Sequence, residues 1–262
     1  MSVQGTFALA AAHVAGLDFT DFRTTLDYTR GVAHLDPTEA SLYGGRLSGD
    51  ITYDRHAAVP AIALVLRLAN IDAAQLVANT SAKGRVSGKA NVTLATTARG
   101  ADAAQITRTL NGRFDLNIDN GALEGIDLGY AVAEGQALLN KQIATSVSNT
   151  HRTRFDTFRM SAPIANGVAS TSDLSISSAA LKVTGQGSVS LPTHDVDMTL
   201  LVKLMSSARA SAVNIPLKVT GKYTDPTLRP DLQAAAEEAV KGAVKQKLQD
   251  VLKNGLRGLF GH

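Results

Sequence analysis

The most suggestive group of ionisable residues in this sequence is His194, Asp195 and Asp197, because imidazole and carboxylate groups together can bind a divalent metal. Asp195 and Asp197 alternate with Val196 and Met198, however, which is the pattern of a β-strand with one polar and one apolar face. We therefore interpret the two carboxylates as solvated strand residues and predict no metal site.

A second group of carboxylates lies between residues 115 and 127, where a pair could supply a general acid and a general base for hydrolysis. Its members lie around turns and at a predicted helix start, and helix capping accounts for Asp127. The chain has no nucleophile elbow, phosphate-binding loop or zinc-protease motif, and the absence of cysteine excludes thiolate catalysis and disulfides. The sequence predicts a non-enzymatic protein without a cofactor, although catalytic residues that meet only in the folded chain would leave no such motif.

Composition narrows the choice of partner. Aromatic residues make up 5% of the chain and tryptophan is absent, so few rings are available to stack on bases or sugars. The net charge is +3, but the 26 basic residues are scattered among 23 acidic ones and form no basic block. We expect no nucleic-acid partner, whereas a mild positive charge is compatible with an anionic membrane surface.

The elements that carry these residues are predicted to be mostly strands, since apolar residues recur at every second position in many segments. Strands buried on both faces of a parallel sheet would instead show continuous apolar runs. Dipeptides typical of turns, such as Asn111-Gly112, Asn120-Gly121 and Asn166-Gly167, are expected to connect the strands. The predicted fold is mainly β, with an antiparallel sheet that has one apolar face.

A seven-residue pattern occurs twice, as GRLSGDI at 45–51 and as GRVSGKA at 84–90. Each copy is typical of the start of a strand, with glycines at a turn or a β-bulge. Repeated strand modules favour an extended or curling sheet over a compact globule.

Helices are predicted at few places. A helix-capping aspartate precedes each of three short insertions, which are expected near 72–79, 102–110 and 127–142. Apolar residues at steps of three and four predict an amphipathic helix over 229–262, with cations gathered toward its C-terminal end. The predicted organisation is a sheet domain over 1–228 and this helix over 229–262. No run of about 18 apolar residues predicts a membrane span.

The segment 110–128, LNGRFDLNIDNGALEGIDL, is followed in order by Thr153-Arg154-Phe155, by Ile215-Pro216-Leu217 and by Asp225-Pro226. This arrangement resembles the C-terminal region of the bacterial AsmA-like family. The resemblance implies a protein of the Gram-negative periplasm, anchored in the inner membrane by an N-terminal helix that is absent here. It also implies a relationship to bridge-like lipid-transfer proteins, whose curled sheets form a trough lined with apolar side chains.

On these grounds we expect a curled, trough-like sheet that supports outer-membrane biogenesis by shielding phospholipid acyl chains along an apolar groove. A structural or assembly factor that contacts outer-membrane proteins or their assembly machinery is the alternative. An ordinary sandwich, in which a second protein layer covers the apolar face, would explain the same alternation of residues.

The alternation and the resemblance together nominate residues for two kinds of contact. The residues expected to face lipid share the apolar parity of their strands and are Ile62, Leu64, Leu66, Leu68, Phe114, Leu116, Ile118, Val183, Val189, Val196, Met198, Leu200, Val202, Leu204, Ile215, Leu217 and Val219. The residues expected to contact a membrane surface lie in the C-terminal helix and are Lys245, Lys253, Arg257 and Phe260. Covering the edge of the sheet is the other role open to this helix.

Overall fold

The alternating segments fold into one continuous antiparallel sheet, which confirms the predicted fold class. The computed structural model describes residues 2–14, 16–56, 58–78, 84–139, 148–205, 215–235 and 237. Each of the thirteen strands pairs with its neighbour in sequence. The strands are β1 (Ser2–Val14), β2 (Leu17–Thr29), β3 (Val32–Leu42), β4 (Gly45–Asp54), β5 (Ala61–Asp72), β6 (Val86–Arg99), β7 (Asn111–Glu124), β8 (Arg152–Ala165), β9 (Val168–Ser177), β10 (Leu181–Ser190), β11 (Asp195–Leu204), β12 (Ile215–Lys222) and β13 (Asp225–Pro230).

The glycines of the repeated pattern lie where the prediction puts them. Gly49, inside β4, has a φ of +147° and lies against the backbone of β5, so close that a β-carbon there would be 1.9 Å from the carbonyl oxygen of Val65. In the second copy, the pairing of β6 with β7 shifts between Ser87 and Lys89, which is the signature of a bulge. Both glycines therefore serve the pairing of a strand with its neighbour.

The predicted turns at Asn111-Gly112 and Asn120-Gly121 are wrong, because both dipeptides belong to β7. Asn111 and Gly112 are its first two residues and pair with Thr97 and Thr96 of β6. Asn120 has a φ of +51°, and this kink lies opposite the irregular pairing at the start of β6. A β-carbon on Gly121 would be 2.1 Å from the carbonyl oxygen of Ser87 and 2.6 Å from the ring of Phe155. Asn120-Gly121 thus allows close approach of two strands and does not reverse the chain.

Within the described ranges, three short helices interrupt the sheet, namely α1 (Ala73–Leu76), α2 (Ala103–Arg108) and α3 (Leu128–Leu139). The carboxylate of Asp72 accepts a hydrogen bond from the amide of Gln75 at 3.0 Å, and Asp102 accepts one from Gln105 at 2.8 Å, so both predicted caps are confirmed. No helix in the described part of the chain has the length and hydropathy needed to cross a membrane.

The predicted helix over 229–262 begins later than its predicted bound, because Arg229 and Pro230 end β13 and the first helical turn starts at Leu232. Asp231 accepts a hydrogen bond from the amide of Ala234 at 3.0 Å and so caps this turn. Its continuation from residue 238 lies outside the described residues. The predicted membrane-contact residues Lys245, Lys253, Arg257 and Phe260 also lie outside them. Apart from its first turn, the separate C-terminal segment predicted over 229–262 therefore stays a prediction.

The sheet curls strongly. The guanidinium of Arg85, just before β6, donates a hydrogen bond of 3.3 Å to the carbonyl oxygen of Thr224, in the turn between β12 and β13. The same guanidinium lies 4.0 Å from the carboxylate of Asp225. Six strand-to-strand steps of about 4.8 Å would separate these positions by roughly 29 Å in a flat sheet. The apolar face is on the inside of the curl, where residues of β6 to β12 form one buried cluster.

Candidate functional site

The apolar face is built from rows of residues that run across the strands, because residues paired between neighbouring strands point to the same side of a sheet. One row joins residues of β4 to β8 and consists of Leu47, Leu68, Val92, Leu116 and Met160. The next row includes Leu66, Leu94 and Phe114, and the one after it includes Ile51 and Leu64. We call this surface on β4 to β8 the open groove.

The apolar face continues from the open groove to β1 through two buried threonines. Thr24 and Thr38 lie in the row that connects Phe7 with Leu66, and their hydroxyl oxygens are 3.0 Å apart. The hydroxyl of Thr38 also donates to the carbonyl oxygen of Leu35 at 3.1 Å. Because these polar groups satisfy one another, they can lie in an apolar row without an unpaired hydroxyl.

Helix α3 fills the other part of the apolar face. Its residues Leu128 and Val132 are fully buried in one cluster with Val183, Val202 and Leu217 of β10 to β12. We call these residues, together with the others that pack around them, the packed cluster. Here the protein covers its own sheet, as in the sandwich alternative, but with a helix as the second layer.

The predicted lipid-facing residues therefore fall into two groups. Those buried by the protein's own atoms are Ile118, Val183, Val196, Leu200, Val202 and Leu217. Those only half-buried are Ile62, Leu64, Leu66, Leu68, Phe114, Leu116, Val189, Met198, Leu204 and Val219, of which Leu116, Met198, Leu204 and Val219 contact the packed cluster. Ile215 pairs with Val202 through its backbone, and its side chain lies outside the described part of the structure.

Five of the nominated residues, Ile62, Leu64, Leu66, Leu68 and Phe114, thus lie on β5 and β7 of the open face and outside the packed cluster. The structure adds the buried Leu47 and the half-buried Leu94 to the same surface. Met160 continues the row of Leu68 but contacts the packed cluster. The sequence contains a signal for Leu94, because Ala90, Val92 and Leu94 alternate with more polar residues. The predicted lipid-facing residues do not include this segment.

The start of α3 is fixed by hydrogen bonds to the beginning of β8 and the residues before it. Asp127 accepts hydrogen bonds from the amide of Tyr130 at 2.9 Å and from the amide and hydroxyl of Thr150 at 2.9 and 2.6 Å. The hydroxyl oxygen of Thr153 accepts from the amide of Leu128 at 2.9 Å. Partial burial acts to raise the pKa of Asp127, but the hydrogen bonds from Thr150 and Tyr130 outweigh it, so the pKa is lowered.

Replacing Asp127 by alanine is expected to lower the free energy of unfolding by about 0.5–2 kcal/mol at neutral pH, the usual effect of losing a helix cap. A carboxyl whose pKa is depressed by folding stabilises the protein above its unfolded pKa of about 3.9 and loses that effect as the pH falls through the folded value. The difference in the free energy of unfolding between the original protein and Asp127→Ala should therefore become smaller in acid. Urea unfolding across a pH series measures it. Asp127→Asn, which keeps an acceptor oxygen, is the control that retains the cap without the titration. An equal difference at every pH would contradict this role.

A cavity of about 930 Å³ opens beside this capped helix start, and it is where a pocket for catalysis would be sought. Two of the ionisable groups that line it have structural partners. Asp127 caps α3, and the guanidinium of Arg152 is 2.9 Å from the carboxylate of Glu124. Among the described residues no group of three or more His, Asp or Glu side chains is placed to hold a metal ion. Asp195 was considered above as a metal ligand and interpreted as a solvated strand residue. Its carboxylate lies 2.7 Å from the ammonium group of Lys222.

On the polar face of the sheet, the carboxylate of Asp173 connects two strands. Strands β8 and β9 are not paired between Arg159 and Ile164. There Asp173 accepts hydrogen bonds from the hydroxyl of Ser161 at 2.5 Å and from its amide at 2.8 Å, and these bonds lower the pKa of Asp173. The carboxylate thus replaces the missing backbone pairing between the two strands.

Comparisons with known proteins agree with this architecture. The model of the AsmA family matches residues 4–174, which is more than half of the 262-residue chain. The chain is 18% identical over 243 residues to "Protein AsmA" of Escherichia coli (strain K12). That alignment covers 90% of this chain but only 39% of the length of the relative. No solved structure matches the chain.

Proposed function

Because this chain belongs to the AsmA family, we propose that it supports outer-membrane biogenesis by shielding phospholipid acyl chains in the open groove, without catalysing a reaction. We further propose that it acts in the periplasm of a Gram-negative bacterium, as the family resemblance implies. The observation that carries the proposal is a set of half-buried aliphatic side chains on β5 and β6 that the packed cluster does not include, namely Leu64, Leu66, Leu68 and Leu94.

The physical need for such a surface is large. Moving one acyl CH₂ group into water costs about 0.8 kcal/mol, so a tail of roughly 16 carbons that crosses an aqueous gap unprotected faces a penalty of about 12 kcal/mol. An aliphatic wall removes most of this penalty through contact alone and needs no polar group to recognise the lipid. Leu64, Leu66 and Leu94 provide a wall of this kind.

The open groove is also the part of the apolar face that α3 does not cover on β4 to β7. Leu217 is 0% exposed and Val202 is 0% exposed, because α3 occupies the space above them. An acyl chain could contact them only if α3 moved away. The five strands of the open groove span four steps, or about 19 Å at 4.8 Å a step, and this is the stretch that we assign to lipid.

Site-specific photo-crosslinking in living cells tests the proposal. A photoreactive amino acid at Leu64 or Leu66 is expected to form adducts with phospholipid, because both side chains lie on the open groove. The matched control is Val65, which lies between them on the opposite face of β5 and is 54% exposed. Adducts are identified by mass spectrometry of the purified protein.

The outcome discriminates between the hypotheses. Phospholipid adducts from positions 64 and 66 and not from position 65 would support the acyl-chain groove. Equal labelling from both faces, or no lipid from any position, would contradict it. Protein adducts in place of lipid at positions 64 and 66 would favour the alternative, a structural or assembly factor that contacts outer-membrane proteins.

A further inference from the structure

At one end of the strands, the apolar face ends on a row that contains two tyrosines. This row joins Tyr28 of β2, Ala33 of β3, Tyr53 of β4, Ile62 of β5 and Ala98 of β6. Tyr53 is 39% exposed and Tyr28 is half-buried, with the small Ala33 between them. A tyrosine ring has an apolar body and a polar hydroxyl, so it suits the border between an apolar surface and water. We call Tyr28 and Tyr53 the tyrosine rim of the open groove.

Two loops with cationic side chains lie directly beyond the tyrosine rim. Arg30 and Gly31 connect β2 to β3, and Arg55 and His56 follow β4. The amide of Arg55 donates a hydrogen bond to the carbonyl oxygen of Gly31 at 3.0 Å. Nδ1 of His56 donates one to the carbonyl oxygen of Arg30 at 2.7 Å. The two loops are therefore fixed to each other, and both arginines lie in one short stretch beside the tyrosine rim.

The two arginines keep their side-chain donors for a partner from outside. Both residues are exposed, and neither guanidinium group has a hydrogen-bond or ion-pair partner among the residues that the structure describes. The carboxylates that precede them in the chain have other partners, since Asp27 accepts from a threonine hydroxyl at 3.0 Å and Asp54 from the amide of His56 at 2.7 Å. The alternation of the strands also places Asp27 and Asp54 on the polar face. The donors at this rim therefore call for an anionic group.

Building on the proposed function, we propose that Arg30 and Arg55 bind the phosphate of a phospholipid whose acyl chains lie in the open groove. The planar fork of donors on a guanidinium group matches the oxygens of a phosphate. Tyr28 and Tyr53 then lie at the level of the glycerol and its esters, where the lipid changes from apolar to polar.

The order of the side chains along the strands matches the order of groups along a phospholipid. Leu66, Leu64 and Ile62 follow one another toward the first residue of β5. Tyr53 pairs with Ile62, and Arg55 comes two residues after Tyr53. Hydrocarbon, ester and phosphate succeed one another in the lipid in the same way. An acidic peptide could also pair with the guanidinium groups, but it would leave the aliphatic row and the tyrosines unused.

Short-chain soluble lipids test the proposal in the purified protein. Dioctanoyl phosphatidylglycerol carries a phosphodiester, dioctanoylglycerol carries the same acyl chains without it, and glycerol 3-phosphate carries a phosphate without acyl chains. The protein is expected to bind the first about three- to tenfold more tightly than the second, which is the gain that two exposed ion pairs provide. Isothermal titration calorimetry measures each Kd. Lipid adducts from a photoreactive amino acid at Leu64 report whether the acyl chains lie in the open groove.

Arg30→Gln combined with Arg55→Gln removes the two cations without touching a buried residue, so the circular dichroism spectrum should not change. The affinity for dioctanoyl phosphatidylglycerol should fall to that for dioctanoylglycerol, which should itself stay the same. The matched control is Arg46→Gln combined with Arg67→Gln. It also removes two exposed arginines, but from the polar face of β4 and β5, and should keep the preference for the phospholipid.

Equal affinities for the two lipids, with adducts at position 64, would overturn the phosphate site and leave the acyl-chain groove standing. A preference that the Arg30 and Arg55 variant retains, or that the control loses equally, would also overturn it. Glycerol 3-phosphate that binds as tightly as the phospholipid would indicate a site for free phosphate instead, and tighter binding of a hexaglutamate peptide would indicate a site for an acidic protein segment. A lack of adducts with either lipid would contradict the groove itself and the phosphate site with it.

Discussion

Replacing Leu217 by alanine is expected to lower the free energy of unfolding by about 2–5 kcal/mol. Leu217 is 0% exposed and contacts the cluster that α3 forms with β10 to β12, so the substitution leaves a cavity that the surrounding side chains fill only in part. The measurement is the urea midpoint and its slope at neutral pH.

The matched control is Leu66→Ala, which removes the same atoms from the open groove. Leu66 is half-buried, so its loss removes less apolar contact and is expected to cost about 1 kcal/mol or less. The same variant should reduce labelling by lipid in the crosslinking experiment. Similar losses of stability at the two positions would contradict the division of the apolar face into an open groove and a packed cluster.

Replacing Gly49 by alanine is expected to disrupt the pairing of β4 with β5 beside the open groove. The backbone there has a φ of +147°, which costs a residue with a side chain about 1–3 kcal/mol. The new β-carbon would also lie 1.9 Å from the carbonyl oxygen of Val65 and 2.9 Å from the Cα of Leu66, so the two strands must separate locally. Urea unfolding measures the total effect, and hydrogen exchange at the amides around Leu66 locates it.

Gly5→Ala controls for the general effect of adding a methyl group to a glycine in a strand. A β-carbon at Gly5 would meet only the ring of Phe7, at 4.0 Å. This variant should therefore unfold at nearly the same urea concentration as the original protein. If Gly49→Ala were equally neutral, the close approach of β4 and β5 at this glycine would not be a constraint on the fold.

Several features of the fold and of the candidate site follow from the sequence because they depend on neighbours along the chain. The alternation of Ile62, Leu64, Leu66 and Leu68 determines a strand with one apolar face, whatever lies above it. The carboxylates that cap α1 and α2 act on amides three residues away. The repeated glycine pattern likewise predicts where a strand starts and where its pairing is irregular.

The tertiary structure decided which part of the apolar face is covered. The sequence predicts a helix after Asp127 and apolar strands after residue 180, but it does not specify that Leu128 and Val132 pack against Val183 and Leu217. The predicted lipid-facing residues all share the apolar face of their strands, yet some lie in the open groove and others in the buried core. That choice depends on contacts between segments far apart in the chain, which no local period encodes.

The same limit explains the curl and the incorrectly predicted turns. Arg85 meets Thr224 across 139 residues, and only the accumulated twist and bending of six strand steps brings them together. Asn120-Gly121 has the composition of a hairpin turn, yet the neighbouring β6 and the ring of Phe155 hold it inside a strand. The sequence by itself determined the faces of the strands and the caps of the helices, whereas long-range packing determined which apolar surface stays open, because burial is a property of the whole fold.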